Sequence, residues 1–207
     1  MRILPAEEEE ALSEALRILS EGGVLGFPTE TFYGLAVDPF NPRAIERLYQ
    51  MKRRLREKPV LLLIGDPEEV KLLAEEIPPV AEALMERFWP GPLTLVFRAR
   101  AEVPSWLTAE TGTVALRVSS HPLARELPRL FRGPITGTSA NLSEEPPART
   151  AEEVAHYFPE IDLVLDGGPC PGERPSTLVS VVSEKVELLR PGAVPWEKIE
   201  EVLNLFS

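Results

Sequence analysis

Apolar residues recur at helical spacing between Ala6 and Leu19, at Ala11, Leu12, Ala15, Leu16 and Leu19, with acids in the first turn and Gly22-Gly23 as a stop. The pattern predicts an amphipathic helix. It changes at Val24-Leu25-Gly26-Phe27, a short apolar run ended by Pro28, which predicts a buried strand entering a Thr/Gly-rich loop. Asn41-Pro42 supplies a cap and a proline at the first helical position, and Ile45, Leu48, Tyr49 and Lys52 continue the stripe into a basic run. A strand follows from Val60 to Ile64. Asp66-Pro67 predicts a helix to about Glu76, Pro78-Pro79 a helix through Phe88, and Pro90-Gly91-Pro92 a sharp turn.

Further strands are expected at Leu93 to Phe97, Thr113 to Val118, Ile135 to Thr138, Leu163 to Leu165, Leu178 to Val182 and Val186 to Leu189. Helices are expected at Pro122 to Phe131, Ala151 to Tyr157 and Trp196 to Phe206. The βα alternation, closed by a hairpin turned at Ser183-Glu184-Lys185, predicts an α/β fold with a twisted sheet of mixed parallel and antiparallel strands and packed helices. No repeat or linker divides the chain, so residues 1–207 read as a single domain.

Composition narrows the function. With 43% hydrophobic residues in 207, the chain can build a core, and no run approaches the roughly 20 apolar residues of a membrane span. The start of the chain carries no signal-peptide pattern, so a soluble, cytoplasmic protein is expected. Cys170 has no second cysteine to pair with, and no Cys/His cluster offers metal-ligand spacing. A net charge of -11 excludes a chain-wide nucleic-acid coat and confines any polyanion site to a local patch. Three Asn and one Gln beside 22 Pro and abundant charge hint at a thermophilic source.

Three groups could carry chemistry. The segment Phe27-Pro28-Thr29-Glu30-Thr31-Phe32-Tyr33-Gly34-Leu35 packs hydroxyls and a carboxylate into a loop after a buried strand, where α/β sheets bind ligands; a hydroxyl-capped turn is the alternative. The run Lys52-Arg53-Arg54-Leu55-Arg56-Glu57-Lys58 is a footprint for phosphate or nucleic acid, or else a solvated helix end. Thr113 to Arg117, Thr136 to Asn141, Pro175-Ser176-Thr177 and Leu189-Arg190-Pro191-Gly192 place hydroxyls and guanidinium groups near strand ends, where they can hold phosphate or carboxylate.

Walker-type, Gly-x-Gly-x-x-Gly and Gly-x-Ser-x-Gly motifs are all missing. His121 stands where a helix cap would and reads as a satisfied structural residue, Cys170 as a loop thiol, and Trp89, Trp106 and Trp196 as packing anchors.

The order of Phe27 to Leu35, Lys52 to Pro59, Phe88-Trp89-Pro90-Gly91-Pro92-Leu93-Thr94, Val114 to Val118, Ser139 to Ser143, Asp166-Gly167-Gly168-Pro169, Ser176-Thr177 and Leu189 to Ala193 resembles the YrdC-like threonylcarbamoyl-AMP synthase family in its short, single-domain form. The resemblance spans about residues 10 to 195. It implies a nucleotidyltransferase that joins L-threonine, bicarbonate and ATP, with Mg²⁺ carried by the ATP, into threonylcarbamoyl-AMP and pyrophosphate. Downstream threonylcarbamoyl-transfer proteins would use that adenylate to modify position 37 of tRNA. Thr31, Arg117, Gly137 and Ser176 would then contact threonine, and Arg54, Lys58, Thr113, Ser139, Asn141 and Arg190 would contact ATP. Arg54, Lys58 and Arg117 would neutralise charge and position the reactants. The family also implies an alternative, a double-stranded RNA or tRNA maturation factor making contact through Lys52 to Lys58; a catalytically silent nucleotide-binding paralogue is a further one. The chain departs from the family pattern at Leu63, Glu144, Pro147 and Ser180.

Overall fold

A computed structural model of the chain describes residues 2–53, 59–142, 145–183 and 185–206. Arg54 to Lys58 of the basic run, Ser143, the departure at Glu144 and the turn residue Glu184 lie outside the described residues. The elements in order are β1 (Ile3–Pro5), α1 (Glu9–Ser20), β2 (Leu25–Phe27), β3 (Gly34–Ala36), α2 (Pro42–Lys52), β4 (Leu61–Leu63), α3 (Val70–Leu73), α4 (Pro79–Phe88), β5 (Leu93–Arg98) and α5 (Ser105–Thr108). They continue with β6 (Thr113–Arg117), α6 (Pro122–Phe131), β7 (Ile135–Thr136), β8 (Thr138–Ser139), α7 (Ala151–Tyr157), β9 (Leu163–Asp166), β10 (Thr177–Ser180), β11 (Glu187–Arg190) and α8 (Trp196–Leu203).

The fold is mixed α/β, as the sequence pattern predicts, and its hydrogen bonding divides the strands into two sheets. One has the order β1-β9-β2-β3-β8, the other β11-β10-β5-β6-β4-β7. Parallel pairs (β1 with β9, β4 with β6, β5 with β10) coexist with antiparallel ones (β2 with β3, β5 with β6, β10 with β11). Ala11, Ala15 and Leu19 of α1 and Leu123, Ala124 and Leu127 of α6 bury one face of the first sheet together with Leu25, Phe27 and Leu163. The larger core joins Tyr33, Leu35, Leu48, Leu62, Leu95, Phe97, Leu116 and Phe158. No helix among the described residues is long and apolar enough to cross a membrane.

Where structure and sequence pattern part, the cause is local. The expected helix from Pro67 to Glu76 is a 3-10 turn at Pro67–Glu69 followed by α3 alone, because Ala74 turns extended and bridges Ala99. The expected strand from Ile135 to Thr138 is broken at Gly137, with β7 paired to β4 in one sheet and β8 to β3 in the other. A Cβ on Gly137 would stand 2.7 Å from Leu63 Cγ, so only glycine lets the chain cross between sheets here without displacing Leu63. The segment read as a loop through Leu35 includes β3, which pairs with β2 and β8.

Candidate active site

A cavity of about 620 Å³ opens between the two sheets. Its floor is one face of the second sheet: Leu61 and Leu63 of β4, Thr113, Ala115 and Arg117 of β6, Thr94 and Val96 of β5, and Leu178 of β10. Strand register makes this face continuous, pairing Leu63 with Arg117, Leu61 with Ala115, Val96 with Ala115 and Leu178 with Thr94. The loop from Thr29 to Gly34 and the segment Gly137 to Ser139 close it from the other side. A second cavity, of about 740 Å³ beside Phe40, Leu72, Arg129 and Phe131, contains none of the residues expected to bind substrate.

Thr31, Thr113, Arg117, Gly137, Ser139, Ser176 and Arg190, gathered from distant segments, all line the first cavity. Thr29 builds the loop that presents Thr31. Its hydroxyl accepts from the amides of Thr31 (3.1 Å) and Phe32 (3.2 Å) and donates to the Phe32 carbonyl at 2.6 Å. The Thr31 hydroxyl lies 3.0 Å from Thr29 Oγ1, a contact in which either oxygen can be the donor. Ser176 Oγ lies 2.8 Å from Thr94 Oγ1, and Arg190 Nη2 donates to the Ser176 carbonyl at 2.9 Å and to Ser176 Oγ at 3.2 Å. Gly192 makes that approach close, since a Cβ there would stand 2.4 Å from the Pro175 carbonyl oxygen.

Arg117 is the electrostatic centre. Its side chain is only 4% exposed, and its Nη2 lies 2.8 Å from Glu30 Oε2. The Ser119 hydroxyl donates to the same carboxylate oxygen. The ion pair is close but poorly aligned, so the buried Nε and Nη2 atoms of Arg117 have no directed hydrogen bond, and neither does Glu30 Oε1. Arg117 nevertheless lines the cavity, and a guanidinium in a cavity wall suits a carboxylate or phosphate ligand.

Burial works to raise the Glu30 pKa, but the Arg117 charge and the Ser119 hydrogen bond more than offset it and hold the carboxyl below the ordinary glutamate value. The folded pKa being the lower one, the stabilisation is complete above the unfolded value and is lost as pH falls through the folded value. The difference in urea midpoint between the wild type and Glu30→Gln should thus be constant near neutral pH and shrink below the ordinary value of 4.5. A difference that persists undiminished into strong acid would show that packing, not charge, stabilises this pair.

Two expectations are corrected, at Lys52 and His121. Lys52 does not stand on an exposed basic face: it is 4% exposed, and its ammonium donates to the carbonyls of Ser139 and Asn141, the latter at 2.9 Å. Asn141 is not among the cavity-lining residues; its Oδ1 accepts from Ser139 Oγ at 2.7 Å and its Nδ2 donates to the Glu145 carbonyl at 2.7 Å. His121 occupies the cap position of α6 without a side-chain cap bond. Its Nδ1 is buried with no partner, and burial lowers its pKa while the Glu30 charge acts the other way. Cys170 is a buried loop thiol pushed up to about 11 by burial, which suits inertness. Arg54 and Lys58, expected at the nucleotide, lie outside the described residues.

The sequence reading placed Glu30 in a candidate loop without assigning it a partner, and did not single out Ser119 or Thr94. A signal for Glu30 exists, because an arginine inside the apolar strand Val114-Ala115-Leu116-Arg117-Val118 requires a buried carboxylate, and Glu30 is the acid in the Thr-rich loop.

The family described as "Telomere recombination", which groups Sua5, YciO and YrdC, matches residues 17–192. A threonylcarbamoyl-AMP synthase of Pyrococcus abyssi is 38% identical over 198 residues, covering 95% of this chain and 58% of the relative. One of Coxiella burnetii is 37% identical over 178 residues, covering 86% of this chain and 96% of the relative. The crystal structure of P. abyssi Sua5 complexed with L-threonine has a TM-score of 0.92 at 37% identity, covering 98% of this chain and 60% of that one. The chain thus spans less than two thirds of the Pyrococcus protein and nearly all of the Coxiella one.

Proposed function

Because the chain belongs to the Sua5/YciO/YrdC family, we propose that it is an L-threonylcarbamoyladenylate synthase, forming threonylcarbamoyl-AMP and pyrophosphate from L-threonine, bicarbonate and ATP. The observation that carries this reading is the Arg117 guanidinium, buried in the wall of the same cavity that the hydroxyl residues Thr31 and Ser176 line. Arg117 forks onto the threonine carboxylate, Thr31 and Ser176 fix its polar groups, and the chain at Gly137 passes close by. Thr113, Ser139 and Arg190 take the nucleotide, joined by Arg54 and Lys58 through the family resemblance. Asn141 serves that site indirectly, by fixing the Ser139 loop.

The chemistry is consistent with this inventory. The threonine amine bonds to the carbon of bicarbonate with loss of water, giving a carbamate; a carbamate oxygen then attacks the α-phosphorus, and the bond to pyrophosphate breaks. No covalent enzyme intermediate is needed, so positioning and charge neutralisation supply the rate enhancement. Among the described residues no group of three or more His, Cys, Asp or Glu side chains could hold a metal. Mg²⁺ would accordingly be held by the triphosphate it arrives with, and it would neutralise phosphate charge. The product would pass in the cytoplasm to proteins that transfer the threonylcarbamoyl group to position 37 of tRNA. Burial of Lys52 removes one cation from the RNA-binding alternative, which leaves direct tRNA contact to residues 53–58.

Purified protein incubated with L-threonine, bicarbonate, ATP and Mg²⁺ should release pyrophosphate and yield the adenylate by mass spectrometry, with each omission abolishing it. No adenylate, with salt-sensitive binding of double-stranded RNA, would replace the enzyme by the RNA factor. ATP binding alone would favour the silent paralogue.

A further inference from the structure

Arg117 does not stand alone behind the cavity. The backbone amide of His121, at the start of α6, donates to Ser119 Oγ at 3.2 Å. Ser119 Oγ passes its own hydrogen to Glu30 Oε2, and the same oxygen lies 2.8 Å from Arg117 Nη2. A continuous polar chain therefore runs from the first turn of α6 through Ser119 and Glu30 to the guanidinium. Ser119 is fully buried and the Glu30 side chain is 15% exposed. Neither Glu30 nor Ser119 is among the residues that line the cavity, whereas Arg117 is.

A guanidinium can rotate about its long stem, and in water it would sample many orientations. Here one oxygen of Glu30 restrains one end of the group, and the hydrogen bond from Ser119 restrains that oxygen. Nε and Nη2 of Arg117 are buried without an aligned partner, Nη2 being the nitrogen that faces Glu30, while the residue itself lines the cavity. Resting on the threonine assignment above, we infer that Glu30, braced by Ser119, is a positioning residue that orients Arg117 for the substrate carboxylate and so sets threonine affinity without touching threonine. The amino acid carboxylate would meet Arg117 where that residue lines the cavity. Glu30 does not act as a base on the substrate amine in this inference, because its carboxylate is engaged by Arg117 and Ser119.

The inference separates the two substrates. ATP does not depend on the Arg117 orientation in this assignment, so disturbing Glu30 should affect threonine alone. Calorimetric titration of the full chain with L-threonine, and separately with ATP, tests it in the wild type, Glu30→Gln and Ser119→Ala. Glu30→Gln keeps the shape and removes the charge; it should weaken L-threonine binding about tenfold to a hundredfold and leave ATP binding within about twofold. Ser119→Ala should weaken threonine in the same direction by a smaller factor, about threefold to tenfold. In steady state the threonine KM should rise while kcat at saturating threonine stays within about threefold.

A purely structural Glu30 would lower both affinities together, and that result overturns the inference. So does L-threonine binding by Glu30→Gln within about twofold of wild type. Should Glu30→Gln fail to fold, Ser119→Ala, which deletes one oxygen, decides the matter by the same criteria. Wild-type protein that binds ATP but not L-threonine would instead remove the threonine assignment itself, an outcome the wild-type titration reports before any variant is made.

Discussion

Replacing Arg117 with methionine is expected to abolish L-threonine binding and to lower the thermal midpoint by about 10 °C. The two effects have separate causes. Threonine loses the cation for its carboxylate, the strongest single contact in the proposed site. Stability falls because Glu30 is left as a buried carboxylate without its counter-charge, and breaking one side of a buried pair costs about 3 to 5 kcal/mol, which at this chain length shifts the midpoint by roughly 2 to 4 °C per kcal/mol. The Arg117→Met, Glu30→Gln double variant removes both charges. It should recover most of the midpoint and none of the threonine binding, since a neutral pair in the same volume has no uncompensated charge. Scanning calorimetry and threonine titration of the three variants measure this. Threonine affinity retained in Arg117→Met would move the carboxylate site elsewhere, and a double variant as unstable as the single would assign the loss to packing.

Much of the fold was legible because it depends on local periodicity. The stripe of α1, the Asn41-Pro42 start of α2 and the proline starts of α4 and α6 survive in the structure, each for the reason the sequence suggests: Asn41 Oδ1, for instance, accepts from the amides of Arg43 and Ala44. The break between β7 and β8 was not legible, because the contact of Gly137 with Leu63 decides it and no window of local sequence contains both. β1 and β3 were missed as well. In the site, Thr31, Thr113, Arg117, Gly137, Ser139, Ser176 and Arg190 of the family motif line one cavity, whereas the contact between Arg117 and Glu30 joins residues far apart in the chain. The case of Lys52 shows two signals in conflict. Ile45, Leu48, Tyr49 and Lys52 share one helical stripe, which predicts burial, while the basic run beside it predicts exposure; tertiary structure follows the stripe.

That burial makes Lys52 the second position with a large expected effect. Its ammonium donates to the Ser139 carbonyl, to the Asn141 carbonyl at 2.9 Å and towards Asn141 Oδ1 at 3.4 Å, and so pins the end of α2 to the segment that carries Ser139 into the cavity. Methionine would occupy much of the same volume and supply no donor. Two backbone carbonyls and a side-chain oxygen would lose a charged partner, at a cost of about 1.5 to 3 kcal/mol for a hydrogen bond of that kind and more where several depend on it. Lys52→Met should accordingly lower the midpoint by roughly 5 to 10 °C and weaken ATP binding about tenfold or more, with L-threonine affinity changed much less. Lys52→Arg should not rescue it, because a planar fork cannot converge on acceptors arranged around a single ammonium nitrogen. Calorimetry with ATP and with L-threonine separates the outcomes. Intact ATP affinity in a destabilised Lys52→Met protein would mean that Ser139 holds its place without the lysine, and would leave α2 coupled to the core but not to the nucleotide.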